Sequence, residues 1–266
     1  MFNRDQTVRL QRLLGASAFG VATLAATLLV GVPAADAQYY VAGYLGANHT
    51  MPATVTIDLP DDVPPITLLE FRDVRFAARP FTSPQYYGLR VGHLFGNERR
   101  WGVEFEWVHP KVYAEVDRPV HVTDRLHGSP VETTTRMDAY IQRYAMSHGM
   151  NFALVNVVWR KPLAATGGSA LSRVALMGRA GAGPMVVHSE TTVFGQSHEQ
   201  YQRAGVGFQL AGGVDVRLAG WLSAVADYKF GHARPTIAFG PPPSATGQMS
   251  ANVHQIAFGL AWGLSR

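Results

Sequence analysis

Seven charged residues stand on stretches of the chain that otherwise alternate between small and large apolar side chains: Arg90, Glu104, Glu106, Arg179, Asp215, Asp227 and Lys229. Brought to one interior they can neutralise all but one negative charge, and buried charge is tolerable only when it is paired and hydrogen-bonded. The expected arrangement is an ion-pair plug. The alternative is that the same groups line a narrow path for small solutes.

Catalytic chemistry has thinner support. His127-Gly128-Ser129, with Glu132 nearby, supplies the residue types of a nucleophilic serine, a base and an acid for acyl cleavage. The pair precedes Pro130 in a stretch that reads as a long loop, and a His-x-Ser spacing is expected by chance in a chain with 10 His. No catalytic residue is assigned. His188-Ser189-Glu190 is contiguous and so points to alternate faces of a strand, where it reads as solvation of a strand end. His49, His109, His121, His127 and His148 have spacings that suit no single metal site. Neither a metal nor a cofactor is expected. No Gly-x-Ser-x-Gly elbow, phosphate loop or His-Glu-x-x-His helix occurs.

The elements that must carry the seven charges are strands. In Trp101 to Trp107, the residues Trp101, Val103, Phe105 and Trp107 alternate with Gly102, Glu104 and Glu106. At the end of the chain Ile256, Phe258, Leu260, Trp262 and Leu264 alternate with Ala257, Gly259, Ala261 and Gly263. Similar stretches run over Gln38 to Ala47, Tyr86 to Phe95, His148 to Trp159, Val174 to His188, Arg203 to Val216 and Trp221 to Phe230, which makes eight strands. Short connections (Gly96 to Arg100, the Gly-rich Lys161 to Ser172, Arg217 to Gly220) take turns with longer ones: the segment after the first strand, the stretch from Tyr113, a loop at Gln196 to Tyr201, and the segment through Pro241-Pro242-Pro243. Within the long connections, Thr54 to Asp58, Leu68 to Phe76 and Tyr113 to Val122 also alternate, as extensions of the strands; counted separately, they give ten strands as the runner-up.

The apolar face of these strands carries almost no charge, whereas the other face holds Gly, Ala and the seven charged residues. A water-soluble barrel puts its bulky apolar face inward. Here the small, polar face is the one suited to a narrow interior, and lipid is the solvent that suits the other. Aromatics near strand ends (Tyr39, Tyr40, Tyr44, Tyr86, Tyr87, Trp101, Trp107, Trp159, Trp221, Tyr228 and Trp262) fit girdles at two membrane interfaces.

Composition agrees. With 47% hydrophobic and only 16% charged residues, 13 Phe, 10 Tyr and 5 Trp, the chain has ample material for a core, and disorder is excluded. The absence of Cys excludes disulfides, thiolate metal sites, a Cys nucleophile and a lipidated Cys. A formal charge of +4 spread along the chain argues against a nucleic-acid partner. Arg4, Arg9 and Arg12 precede an uncharged run from Leu13 to Val32 and the small-x-small triplet Ala35-Asp36-Ala37, the pattern of an export signal cleaved after Ala37. Residues 1–37 are thus expected to be a signal segment and 38–266 one domain.

The signal segment, the eight amphipathic strands, Gly88-Leu-Arg-Val-Gly92, Gly205-Val-Gly207 and the final Phe258 to Leu264 segment resemble the small outer-membrane β-barrel proteins, of the type of the outer membrane protein A transmembrane domain. The resemblance covers residues 38–266 and is architectural. It implies an all-β, single antiparallel up-and-down transmembrane barrel with long extracellular loops in the outer membrane of a Gram-negative-type cell. It further implies a monomer in contact with outer-membrane lipid and lipopolysaccharide, inserted by the barrel insertion machinery, with a structural or surface-interaction role. The alternatives are a narrow porin-like channel and a lipid-modifying outer-membrane enzyme.

Overall fold

The computed structural model describes residues 38–59, 67–79, 85–164, 170–239 and 245–264; the expected signal segment lies outside them. The first strands are β1 (Gln38–Thr50), β2 (Ala53–Leu59), β3 (Thr67–Val74), β4 (Phe76–Ala77), β5 (Tyr87–Phe95) and β6 (Trp101–His109). They are followed by β7 (Val112–Ala114), β8 (Pro119–Leu126), β9 (Ser129–Arg136), β10 (Ile141–Pro162) and β11 (Val174–Val193). The last are β12 (Gln196–Arg217), β13 (Leu222–Ala233), β14 (Thr236–Phe239), β15 (Ala245–Met249) and β16 (Ala251–Gly263). Two single-turn 3₁₀ helices, Met137–Ala139 and Ala170–Arg173, are the other regular elements among the described residues.

Eight of these strands pair in a ring. β1 pairs with β5, β5 with β6, β6 with β10, β10 with β11, β11 with β12, β12 with β13, β13 with β16 and β16 with β1, all antiparallel. Short β7 and β4 continue the same sheet beyond β10. The period-two rule sets the faces: in β16 Ile256, Phe258, Leu260 and Trp262 are exposed, whereas Ala257 and Ala261 are buried. In β6 Glu104 and Glu106 are buried while Phe105 is only half-buried. Glu104 therefore points into the ring and Phe105 out of it.

The long connections fold into something that local alternation did not foretell. β14, β15, β2, β3, β8 and β9 form a second, six-stranded sheet in that order. Thr54 to Asp58 and Leu68 to Phe76, expected to extend ring strands, belong largely to this separate sheet, as does the end of the Tyr113 to Val122 segment. The expected loop at Gln196 to Tyr201 is also corrected: these residues are strand. The reversal is Phe194-Gly195, both at positive φ, between Val193 and Gln196. This is the two-residue turn whose twist matches a hairpin.

Strand length explains where the second sheet sits. A membrane-crossing strand needs about 9–11 residues, whereas β10 and β12 have 22 each and β11 has 20. Their surplus halves project past the ring's apolar belt and pack with the second sheet. One continuous core results, joining Met150, Phe152, Met185, Val187 and Val253 of the ring strands to Val55, Ile57, Leu69, Phe71, Val122 and Ile237 of the second sheet. The ring interior is thus apolar at this end, which the small, polar character of the inward face in sequence had not suggested.

Candidate functional site

Midway along the ring, six of the seven expected charges meet. Arg90 Nε donates to Glu106 Oε1 at 2.7 Å and its Nη1 to Asp227 Oδ2 at 2.6 Å. Arg179 Nη1 donates to the other Asp227 oxygen at 2.8 Å, and its Nε to Glu104 at 3.2 Å. Lys229 donates to Glu106 and to the Tyr44 hydroxyl. Three cations face three carboxylates, all buried. Asp215 does not join them. It lies at the tight-turn end, lining a cavity with Arg99, Arg160 and Arg217.

Glu106 is the hub. Besides Arg90 and Lys229 it accepts from Tyr44 Oη at 2.7 Å, Asn156 Nδ2 at 2.9 Å and Gln209 Nε2 at 2.6 Å. Glu104 accepts from Tyr40 Oη at 2.7 Å and Asn156 Nδ2 at 2.9 Å. These neutral partners were missed in the sequence, and two of them were misplaced. Tyr40, Tyr44 and Tyr86 are buried, not girdle residues; Tyr86 donates to Gln255 at 2.6 Å. Phenols on the inward face can satisfy carboxylate lone pairs that the cations leave open. Four of the five tryptophans, Trp101, Trp159, Trp221 and Trp262, are exposed toward the tight-turn end, whereas Trp107 is half-buried.

The Gly88-Leu-Arg-Val-Gly92 segment shapes the plug. In the β1–β5 register Tyr44 faces Gly88, Ala42 faces Arg90 and Tyr40 faces Gly92. A Cβ at Gly88 would stand 1.9 Å from the Tyr44 ring, and one at Gly92 would stand 2.2 Å from that of Tyr40. The glycines are bare so that two phenol rings can lie across β5 on either side of Arg90. Arg90 Cζ then sits 4.5 Å, and Lys229 Nζ 3.9 Å, from the Tyr44 centroid, a cation–π arrangement. Gly88→Val is expected to cost about 1–3 kcal/mol by overpacking, read from the urea midpoint of the folded species. In a double-mutant cycle Tyr44→Ala should relieve part of that loss; strictly additive costs would show that the ring does not need the glycine.

Apolar layers lie on both sides of the charges. Toward the second sheet is the large shared core, and toward the tight turns Tyr40, Leu94, Val158 and Met177 pack together. The charged layer is therefore closed off by apolar residues toward the second sheet, while on the tight-turn side Arg90 and Arg179 also line the cavity that holds Asp215, Arg99, Arg160 and Arg217.

The other sequence candidates are placed as follows. His127-Gly128 is the tip of the β8–β9 hairpin, both residues at positive φ, with Leu126 paired to Ser129. Glu132 lies opposite Thr123 and 4.0 Å from His121. His188 and Glu190, read as strand-end solvation, are joined by His148 on the outward face. Burial, and next to it the His148 ring, lower the His188 pKa from its ordinary value.

No protein-family model and no curated protein sequence matches the chain. Solved structures similar to it include outer membrane protein OprG from Pseudomonas aeruginosa, 13% identical, with TM-score 0.45 over 87% of this chain and 97% of that one. Neisserial surface protein A is 7% identical, with TM-score 0.35 over 84% and 96%. The outer membrane protease OmpT from Escherichia coli is 7% identical, with TM-score 0.42 over 88% and 99%.

Proposed function

We propose that the chain is an integral outer-membrane β-barrel protein of eight transmembrane strands. Its lumen is plugged, it carries no catalytic site, and its role is structural or one of surface interaction through the six-stranded outer sheet. The observation that carries this reading is the inversion of polarity around the ring. Phe258 is 62% and Leu210 61% exposed on the outside, while Arg90, Glu104, Glu106 and Lys229 are at most 1% exposed inside. Water would penalise the apolar outer face of such a wall, whereas lipid does not, and the charges inside are kept from the lipid by the wall itself. Export through a cleaved segment ending at Ala37, life as a monomer, and contact with outer-membrane lipid and lipopolysaccharide belong to the same proposal.

Heat-modifiable migration tests it. A barrel without free edges should resist detergent until boiled and then change mobility. Identical migration before and after boiling, with the protein recovered in the soluble fraction, would refute the reading. The narrow-channel alternative is tested separately in planar bilayers. The paired charges and the apolar core on the second-sheet side predict electrical silence, and steady unitary currents that change in an Arg90→Ala variant would replace the plug with a conduction path.

A further inference from the structure

We infer that the outward face of β10 and β11, past the apolar belt, holds a binding site for a divalent transition ion of the zinc type, with His148, His188 and Glu190 as ligands. Their ligand atoms all lie within 4.8 Å of one another. His148 Nδ1 is 3.2 Å from His188 Nδ1, and each of the two is 3.9 Å from Glu190 Oε1. Ligands about 2.1 Å from a tetrahedral zinc stand about 3.4 Å apart. The observed triangle approximates one face of such a tetrahedron, its two His-to-Glu190 edges of 3.9 Å longer and its His-to-His edge of 3.2 Å shorter than that. Two imidazole nitrogens and a carboxylate oxygen are also a donor set that this class of ion accepts.

Three further features fit a built site. A bulge creates it. Met146 and Met150 both face the interior, and strict alternation would place His148 there too. The β10–β11 register instead shifts between Met146 and Met150, with Gly149 at φ +94°, and His148 turns outward with its side chain 51% exposed. Such bulges commonly re-aim a side chain. A second carboxylate then orients His188: Glu199 Oε1 lies 3.2 Å from Nε2, so a proton on that nitrogen leaves the Nδ1 lone pair directed at the site. This is the carboxylate–histidine–metal arrangement. Finally, the Ser147 hydroxyl lies 3.1 Å from His148 Nδ1 and 3.4 Å from His188 Nδ1 and donates to Glu190, placing an oxygen beside the fourth position. Arg143 opposes the ion, because it pairs with Glu190 and brings positive charge.

The test is calorimetric titration of the folded full chain, stripped with chelator, with zinc chloride. The wild type should take up one ion per chain. His148→Ala and His188→Ala should each abolish that uptake, Glu199→Gln should weaken it about tenfold, and Arg143→Gln should tighten it. His148 and Glu199 are exposed, so these two variants keep the test valid if His188→Ala disturbs folding; unaltered mobility of unboiled protein on gels checks each variant. No uptake by the wild type, or uptake that survives the combined His148→Ala and His188→Ala change, overturns the assignment.

Discussion

Replacing Glu106 by Ala should destabilise the folded protein by about 3–5 kcal/mol, because it strands buried cations that were paired. Arg90, Lys229, Tyr44, Asn156 and Gln209 all direct donors at this one carboxylate. The side chain is fully buried, so no water takes over. The measurement is the urea midpoint of the heat-modifiable species in detergent. A paired variant, Glu106→Gln with Lys229→Met, removes one charge of each sign and should recover much of the loss. A single-variant cost below about 1 kcal/mol would place these groups in water, and with it a wet, open interior.

The second large effect concerns the outer face. Phe258→Arg should cost about 2–4 kcal/mol at mid-membrane depth, whereas Trp262→Arg, at the girdle, should cost only about 0–1 kcal/mol. Trp262 pairs with Leu222 and Val41 near the tight-turn end, while Phe258 lies four residues further toward the centre of β16. Refolding yield and stability in lipid vesicles measure the difference. Equal costs at the two depths would mean that no bilayer surrounds this wall. Gly259 gives an inward comparison of another kind. A Cβ there would meet the Gly43 carbonyl oxygen at 2.1 Å, so even Gly259→Ser should fail through backbone crowding, not through charge.

Much of the ring could be read from the sequence because period two is a local property. The alternation of Val103, Glu104, Phe105 and Glu106, or of Ile256 to Gly263, assigns each side chain to a face without knowledge of any partner strand. Tyr40 and Tyr44 misled because an aromatic near a strand end suits either face, and only the bare Gly88 and Gly92 opposite them decide for the interior. The second sheet could not be seen at all. It depends on pairing Val55 with Met249, residues from opposite ends of the chain, and nothing local in either segment signals the other. The histidine cluster was hidden for a related reason: the bulge at His148 breaks the alternation from which its orientation would be inferred.

The interleaving of the outer sheet has a consequence for assembly order. β15 lies beside β2, and each is only a few residues from the seam where β16 meets β1. The pairing of β2 with β15 and the joining of the first and last staves of the wall are therefore coupled. Contacts this remote in sequence form late, because loop closure must precede them. The outer sheet is accordingly a completion mark: a conformational antibody raised against the β2–β15 junction should bind only molecules whose seam has shut, and would time that event during refolding.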